Sequence, residues 1–219
     1  MLSKLRRRYS RKSRQQAIPD DDIQDYYDRL SAEVKEDARA AGWQSTKTQS
    51  LRFLVLSLIA DLEGERLLDI GCGIGDFYAY LRSQFTDFHY EGIDLSPGMI
   101  ERAKKKHTDA IFDCQDLFDF SPKKTYDYVF ASGALSYKQK NAHDYLKKAI
   151  QKLFFLSEKG LAFNLLSEHA NENLKIQRRF QHFCPKEVLS IINRDILSDP
   201  PDKDIIHAGR ISGGWEKVF

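Results

Sequence analysis

The feature that most constrains this chain is a glycine-rich turn placed directly after an apolar run. Residues 67 to 77 read LLDIGCGIGDF, so that Asp69 is followed by alternating glycines at Gly71, Gly73 and Gly75. Because glycine has no Cβ, such a turn lets the chain leave a buried strand sharply and lets a bulky ligand approach the main chain. Apolar residues at helical spacing come next. The pattern therefore predicts a strand, a glycine loop and a helix in succession.

The spacing of the glycines separates two kinds of nucleotide site. A dinucleotide-binding loop has the spacing G-x-G-x-x-G, and its last glycine would fall on Asp76, where a helix must pack closely. A charged residue at that position disfavours a nicotinamide dinucleotide. The spacing D-x-G-x-G-x-G, from Asp69 to Gly75, instead resembles motif I of the class I S-adenosylmethionine-dependent methyltransferases.

A second acid stands where that resemblance requires one. Residues 88 to 93 read as a strand that ends at Asp94, 19 residues beyond the last glycine of the loop. A carboxylate at the end of the second parallel strand can accept hydrogen bonds from both ribose hydroxyls. Ser96 and Pro97 then predict the cap and first turn of a helix. The stretch GIDLSPGMI closely resembles the motif that follows motif I in the family.

A third strand is predicted over residues 110 to 112, and the acids that follow it are alternative candidates for binding the ligand. By resemblance, Asp116 matches the residue whose carboxylate accepts the adenine amino group, with the backbone of Leu117 beside the ring. We expect the neighbouring acids, Asp113 and Asp119, to be solvated loop residues.

The rest of the predicted sheet follows the same alternation of strands and helices. A fourth strand over residues 126 to 131 is followed by small residues from Ser132 onward, which leave room for a ligand. Ligands of open α/β sheets bind beyond the carboxyl ends of the strands, where these candidates fall. The remaining predicted elements are a helix over 142–155, a buried strand over 160–166, a helix from Pro185, and candidate strands over 204–208 and 215–219.

Two helices are predicted within residues 22 to 62, and the second has an ambiguous orientation. Its apolar residues at helical spacing are Leu51, Leu54, Val55, Leu58, Ile59 and Leu62. Gln49, Arg52 and Phe53 fall near the opposite side. Two interpretations stay open: a helix on the sheet with a solvated Arg52, and a lid over the cofactor. The lead-in from Gly42 resembles that of some small-molecule methyltransferases, in which it covers the methionine end of the cofactor.

The resemblance implies an α/β fold with a doubly wound, mostly parallel seven-stranded sheet, a reversed last strand and N-terminal helices. It also implies S-adenosyl-L-methionine as the cofactor. Asp69 would hold the methionine ammonium, and Asp94 and Asp116 would hold the nucleoside. The predicted cofactor-binding residues are Arg52, Asp69, Gly71, Cys72, Gly73, Gly75, Asp94, Leu95, Met99, Asp116, Leu117 and Ser132.

Composition predicts one domain in a reducing compartment. A chain of 219 residues with 42% hydrophobic residues can bury one core, which we place in residues 20–219. No apolar run is long enough to span a membrane, and the N-terminus lacks the apolar stretch of a secretory signal. Its three scattered cysteines form no C-x-x-C pair, so we expect no zinc site and a cytoplasmic protein.

The N-terminal segment 1–19 differs in charge from the rest. Residues 1 to 16 hold seven Lys and Arg residues and no acid, so that the remainder carries −5 within a net charge of +2. Three interpretations stay open: a disordered solvated tail, a contact with nucleic acid or an anionic surface, and an organelle-targeting peptide.

The class of methyl acceptor can be narrowed only through motifs that the sequence lacks. The N-P-P-Y or D-P-P-Y motif of nucleobase amine methyltransferases does not follow the fourth strand, and the sequence DPPD at 199–202 reads as a turn. A small-molecule acceptor is therefore favoured over RNA or DNA held by the basic tail, and over a nucleotide-binding protein without transfer activity or an NAD oxidoreductase. Candidate general bases are Tyr27, Glu168, His169 and His207, and none is singled out as catalytic.

Overall fold

The computed structural model describes residues 23–33, 46–169, 180–196, 204–211 and 214–218, with the side chains of the last two segments excepted. The basic N-terminal segment and the DPPD turn lie outside these residues. The helices are α1 (Ile23–Glu33), α2 (Thr46–Ser57), α3 (Asp76–Arg82), α4 (Pro97–Lys106), α5 (Ala142–Leu156) and α6 (Pro185–Asp195), with a 3-10 turn at Ala134–Ser136. The strands are β1 (Arg66–Ile70), β2 (His89–Asp94), β3 (Ile111–Cys114), β4 (Tyr126–Ser132), β5 (Ser157–Asn164), β6 (Asp204–Ile211) and β7 (Gly214–Val218).

These strands form one sheet in the order β3-β2-β1-β4-β5-β6-β7. The pairs among β1 to β6 are parallel, and β7 runs antiparallel to β6. The strand order reverses between β1 and β4, so a crevice opens beyond their carboxyl ends. The predicted fold class, a doubly wound and mostly parallel α/β sheet, is confirmed.

Helices cover both faces of the sheet because its strands are apolar on both sides. Neighbouring residues Leu67 and Leu68 of β1 are fully buried, yet they belong to two different core clusters. Successive side chains of a strand point to opposite faces, which accounts for this division. Leu67 packs with the cluster of α2, α3 and α4, and Leu68 packs with that of α5 and α6.

Helix α4 begins where the sequence predicts it. Ser96 is the N-cap, its hydroxyl accepts a hydrogen bond of 3.2 Å from the Met99 amide, and Pro97 occupies the first turn. Proline suits this position because the first amides of a helix have no partner within it.

The fifth strand is displaced from its prediction. It covers Ser157–Asn164, and its first pair is Ser157 with Tyr126 of β4. Leu166 leaves the sheet instead of ending the strand, because its amide hydrogen-bonds to the Ser136 hydroxyl at 3.1 Å and its carbonyl accepts from Phe183 at 2.8 Å. Asn164 therefore stands at the end of the strand, where the sequence prediction had an interior position.

The apolar stripe predicted for α2 is not its buried face. Leu51, Leu54 and Leu58 are 39%, 44% and 56% exposed, while Phe53 and Leu56 are 5% and 2% exposed. The aromatic ring of Phe53 decides the orientation, since it packs 5.1 Å from Phe77, which lies 5.1 Å from Phe130 on the sheet. The helix ends at Ser57, so the buried residues Ile59 and Leu62 belong to the following turn.

Candidate active site

The glycine loop adopts a conformation that only glycine tolerates well. Gly71, Gly73 and Gly75 have φ of 70°, 55° and 80°, all in the left-handed region. The amides of Gly71 and Cys72 both donate to the Ile93 carbonyl, at 2.8 and 3.1 Å, which holds the loop against the end of β2. A Cβ at Gly71 would lie 2.3 Å from the Cβ of Ala134, so the loop also touches the 3-10 turn.

Asp94 lies beside this loop at the end of β2. Its Oδ2 accepts the Gly73 amide and its Oδ1 accepts the Ser96 amide, both at 2.9 Å. Removal from water raises the pKa of Asp94, and these backbone bonds partly offset the increase. Each carboxylate oxygen can accept a second hydrogen bond. The carboxylate is thus held in place without exhausting its capacity for a ligand.

Asp69, in β1, is the most deeply buried acid of the site, with 1% exposure. Its Oδ2 accepts the Tyr90 hydroxyl at 2.6 Å, whereas its buried Oδ1 has no hydrogen-bond partner among the described residues. Burial raises the pKa of Asp69 to about 7, although the hydrogen bond from Tyr90 opposes the shift. A buried carboxylate oxygen of this kind costs free energy until a donor meets it.

Of the three acids between Asp113 in β3 and Asp119, one reaches the site. Asp116 and the buried Leu117 line the same cavity as Asp69 and Asp94. Oδ1 of Asp116 accepts the Phe118 amide at 2.7 Å, which orients the carboxylate. Asp113 binds the Gln115 amide group at 2.5 Å, and neither it nor the exposed Asp119 lines the cavity.

The opposite wall comes from the ends of β4 and β5. Asn164 donates from Nδ2 to the Ser132 hydroxyl at 3.3 Å, and its Oδ1 accepts the Gly133 amide at 2.8 Å. Gly133 has a φ of 78°, so the chain turns sharply away from the sheet at this point. The two strand ends are thereby tied together at the crevice.

Helix α2 presents a polar edge to the same space. Arg52 and the buried Gln49 line the cavity. The Gln49 amide nitrogen donates to Oδ2 of Asp76 at 2.9 Å, and Lys106 at the end of α4 donates to the other oxygen of Asp76 at 2.7 Å. Each carboxylate oxygen of Asp76, the residue that disfavours a dinucleotide loop, therefore accepts a hydrogen bond from another side chain.

The cavity enclosed by these walls has a volume of about 430 Å³. That volume lies within the range of small-molecule sites, roughly 300–1,000 Å³. Of the twelve predicted cofactor-binding residues, eleven line it: Arg52, Asp69, Gly71, Cys72, Gly73, Asp94, Leu95, Met99, Asp116, Leu117 and Ser132.

Gly75, the twelfth, does not line the cavity and faces the protein body instead. A Cβ on it would lie 2.7 Å from His107 and 2.8 Å from Phe112. Its role in this structure is close packing and the left-handed turn into α3. Cys72 lines the cavity but is 93% buried, and burial raises the pKa of its thiol well above the ordinary value.

Several lining residues were not singled out from the sequence. They are Gln24 of α1, Gln139, Tyr145 of α5, Asn164 of β5, and Phe180 and His182 of the segment before α6. Asn164 carried a usable signal, since a polar residue at the carboxyl end of a parallel strand is a site candidate. Phe180 and His182 carried none, because a pairing of Tyr137 with Phe180 brings their segment to the cavity from far along the chain.

The candidate general bases differ in where they lie relative to the cavity. Tyr27 lines the cavity, and its removal from water, together with the nearby Tyr26 and Asp94, raises its pKa. Glu168 and His169 lie 3.7 Å apart on the surface, outside the lining. His207 belongs to β6, whose side chains lie outside the description.

Two further observations bear on the type of protein. Within the described ranges, no group of three or more His, Cys, Asp and Glu side chains is arranged to hold a metal ion. Among the helices of the described part, none combines the length and apolar character needed to cross a bilayer.

Comparison with known proteins agrees with this geometry. Residues 68–154, which include the glycine loop, Asp94 and Asp116, match the family model described as a methyltransferase domain. Among solved structures, the chain resembles the magnesium protoporphyrin IX methyltransferase of Synechocystis with bound SAH, with a TM-score of 0.61 and 16% identity over 86% of this chain and 90% of that one. The region around the glycine loop therefore matches a methyltransferase-domain model, and the chain shares the fold of this solved methyltransferase.

A second solved structure shows the same likeness of fold. The N-methyltransferase NodS of Bradyrhizobium japonicum, solved with S-adenosyl-L-homocysteine, has a TM-score of 0.57 and 20% identity, covering 76% of this chain and 84% of that one.

The sequence relatives include a trans-aconitate 2-methyltransferase of Methylobacterium radiotolerans, 32% identical over 70% of this chain and 47% of the relative. A malonyl-[acyl-carrier protein] O-methyltransferase of Acetivibrio thermocellus is 30% identical over 57% of this chain and 49% of the relative. The matched region thus spans about half the length of these two relatives.

Proposed function

We propose that this protein binds S-adenosyl-L-methionine and transfers its methyl group to a small-molecule acceptor. The observation that carries the proposal is Asp69, which lines the cavity beside the glycine loop and whose buried Oδ1 has no partner among the described residues. A ligand with an ammonium group would supply the missing donor, and a charge-assisted hydrogen bond to a buried carboxylate is among the stronger ones.

The charges of the cavity favour this ligand over a dinucleotide. Asp69, Asp76, Asp94 and Asp116 all line it. A pyrophosphate would meet these carboxylates with charge of the same sign, whereas S-adenosylmethionine carries a sulfonium and an ammonium against one carboxylate. Asp76 is also bound by Gln49 and Lys106, which leaves the close helix approach of a dinucleotide loop unsupported.

The wall residues suggest how the cofactor would lie. Asp94 would accept the ribose hydroxyls, and Asp116 with Leu117 would hold the adenine. Asp69 would hold the ammonium. Arg52, which also lines the cavity, would stand at the methionine end. Gly71 and Gly73, which line the cavity, would lie against the ligand.

The chemistry asks mainly for alignment. S-Adenosylmethionine supplies a methyl carbon activated by its sulfonium, so that an acceptor lone pair can form a bond to carbon while the carbon–sulfur bond electrons pass to sulfur. The chain would orient the reactants and exclude water, and the buried Asp69, Leu117 and Ser136 contribute to that enclosure. Tyr27, whose raised pKa keeps its proton at neutral pH, would act as a hydrogen-bond donor rather than as a base.

The proposal of a small acceptor rests on the relatives and on the lining. The two relatives named above act on trans-aconitate and on malonyl-[acyl-carrier protein]. Between the ends of β4 and β5 and the segment at Phe180, the cavity is lined by neutral side chains and His182, without a broad basic surface. Binding of nucleic acid through residues 1–16 stays a prediction, since they lie outside the described part.

We also infer that residues 20–219 form one domain and that the protein is cytoplasmic. The inference of compartment rests on its three cysteines, which are free.

Isothermal titration calorimetry tests the proposal directly. We expect S-adenosylhomocysteine and S-adenosylmethionine to bind and NAD to bind far more weakly. Asp94→Ala should reduce the affinity for both adenosyl ligands by at least about tenfold, because it removes two or more hydrogen bonds of a charged acceptor. Asp116→Ala should weaken binding, whereas Asp119→Ala, a neighbouring exposed acid outside the cavity, should not.

Two outcomes would contradict the proposal. One is preferential binding of NAD, and the other is an unchanged affinity for S-adenosylhomocysteine in Asp94→Ala. Transfer itself is measured with S-adenosylmethionine labelled in the methyl group and a panel of small carboxylic acids, amines and phenols.

A further inference from the structure

We propose that Gln49, held in one orientation by Asp76 and Lys106, presents its amide oxygen to the ammonium group of the cofactor. The inference rests on the proposed function, because it concerns the amino-acid end of S-adenosylmethionine in the same cavity. It assigns a positioning role to Asp76 and Lys106, neither of which was among the predicted cofactor-binding residues.

The orientation of the Gln49 amide follows from the chemistry of its partner. Its Nε2 lies 2.9 Å from Oδ2 of Asp76. An ionised carboxylate only accepts hydrogen bonds, so the amide must turn its NH₂ group toward Asp76 and its oxygen away. Gln49 also lines the cavity.

Asp76 is itself kept in place by a second side chain. Lys106 donates to its Oδ1 at 2.7 Å, and the two side chains are 35% and 16% exposed. The three residues therefore form a chain from the protein surface to the cavity wall. The link spans 30 residues between Asp76 and Lys106 and 27 between Gln49 and Asp76, so it joins helices α4, α3 and α2.

Burial of Gln49 is hard to explain by packing alone. Its side chain is 4% exposed on the face of α2 that also carries Phe53 and Leu56. Leucine or methionine would fill a similar volume there without the cost of desolvating an amide. Gln49 lines the cavity and its amide donor is held by Asp76, so its amide oxygen is left to accept from a ligand with a donor group.

The position of α2 in the fold indicates which end of the ligand Gln49 would contact. Asp116 follows β3 at one edge of the sheet, and Asp94 ends β2, the next strand. The proposed adenine and ribose sites thus lie on the β3 and β2 side. Helix α2 packs on the other side, against β4, β5 and α3. Gln49 is therefore on the side where the amino-acid end would lie, with Asp69 of β1 between the two.

Three adenosyl ligands test the proposal by calorimetry: S-adenosylmethionine and its decarboxylated form differ only at the carboxylate, whereas 5′-methylthioadenosine also lacks the sulfonium charge. Decarboxylated S-adenosylmethionine keeps the amino group and lacks the carboxylate, and 5′-methylthioadenosine lacks both. In Gln49→Leu we expect the affinities for S-adenosylmethionine and its decarboxylated form to fall about tenfold to a hundredfold, the loss of one hydrogen bond to a charged group. The affinity for 5′-methylthioadenosine should stay within about twofold, which also reports that the variant is folded.

The positioning residues have their own variants. Asp76→Ala should lower the affinity for S-adenosylmethionine about as much as Gln49→Leu does. The double variant should lower that affinity little further, since both residues act through one contact. Lys106→Ala should have a smaller effect of the same kind. Lys105→Ala is the matched control, because Lys105 pairs with Glu101 on the surface and not with Asp76.

The outcomes are distinguishable from those of the proposed function. If the unchanged protein binds none of the adenosyl ligands, the proposed function fails. If it binds them but Gln49→Leu weakens all three ligands equally, or none, the role of Gln49 is overturned. A loss for S-adenosylmethionine without a loss for its decarboxylated form would place the contact at the carboxylate and would also overturn the proposal.

Discussion

The buried carboxylate of Asp69 makes the stability of the unliganded protein depend on pH in a way that one substitution should abolish. In Asp69→Asn the side chain keeps its shape and can still accept the Tyr90 hydroxyl bond, but it no longer titrates. The comparison therefore isolates the ionisation of one group that is 1% exposed. Asp94, whose pKa is also raised, is present in both proteins, so its own titration cancels to first order.

The magnitude follows from the two pKa values of the group. In the unfolded chain Asp69 titrates at its ordinary value of 3.8, and in the folded protein burial raises the pKa to about 7. Between these values the folded state holds a proton that the unfolded state has lost, so stability falls as pH rises. The slope is about 1.4 kcal/mol per pH unit. Because the slope decreases as the pH approaches the folded-state pKa, the unsubstituted protein should lose about 2 kcal/mol relative to the variant from pH 5 to 7, and the difference should level off above pH 7.

Urea unfolding followed by circular dichroism at pH 5, 6, 7 and 8 measures this difference as a free energy of unfolding. A difference that stays constant within about 0.5 kcal/mol across this range would refute the reasoning, since Asp69 would then be ionised throughout. Tyr90→Phe provides a second check. It removes the hydrogen bond that lowers the pKa of Asp69, so the pH-dependent loss should extend to higher pH.

Two further expectations concern the helix and the loop that shape the cavity. Leu56→Ala should lower the free energy of unfolding by about 2–5 kcal/mol and Leu54→Ala by less than about 1, because the first residue is 2% exposed and the second 44%. Urea unfolding of both variants measures this, and equal losses would mean that α2 packs by its other face. Gly71→Ala should lower the free energy of unfolding by about 2–4 kcal/mol, through left-handed strain and the clash with Ala134, and should also lower the affinity for S-adenosylhomocysteine. Gly64 has a similar φ of 75°, but a Cβ there meets nothing within 4 Å. Gly64→Ala should therefore lower the free energy of unfolding only by the strain, about 1–2 kcal/mol. Thermal unfolding and calorimetry of the pair check this, and a Gly71→Ala variant no less stable than Gly64→Ala would count against the contact.

Local sequence patterns predicted the elements around the glycine loop well. The helix opened by Ser96 and Pro97 begins where its cap and proline require, and the second strand ends at Asp94 as expected. These features depend on neighbours within a few residues, such as the hydrogen bond between Ser96 and the Met99 amide. Short-range geometry of this kind can be derived from sequence alone.

Local patterns were incomplete where a distant partner shapes the structure. The fifth strand ends at Asn164 because Leu166 is drawn to Ser136 and Phe183. Gly75 has the spacing of a ligand contact, yet it packs against His107 and Phe112. In neither case does the local sequence contain the competing partner.

Helix α2 shows the same division within a single element. Its apolar spacing predicted a helix with an apolar stripe, and the helix is present. Which stripe is buried depended on the ring of Phe53 against Phe77 and on an acid that Gln49 could reach. Periodicity describes a helix face, but only the surface it meets selects which face is covered.

The sequence by itself determined the glycine turn, the acids at the ends of the first two strands and the alternation of strands and helices that makes a parallel sheet. It did so because these depend on backbone freedom and on spacing along the chain. Only the tertiary structure decided that Oδ1 of Asp69 has no hydrogen-bond partner among the described residues, that Gln49 is tied through Asp76 to Lys106, and that His182 reaches the cavity. Those properties arise from burial and from contacts between residues far apart in the chain, which no local pattern specifies.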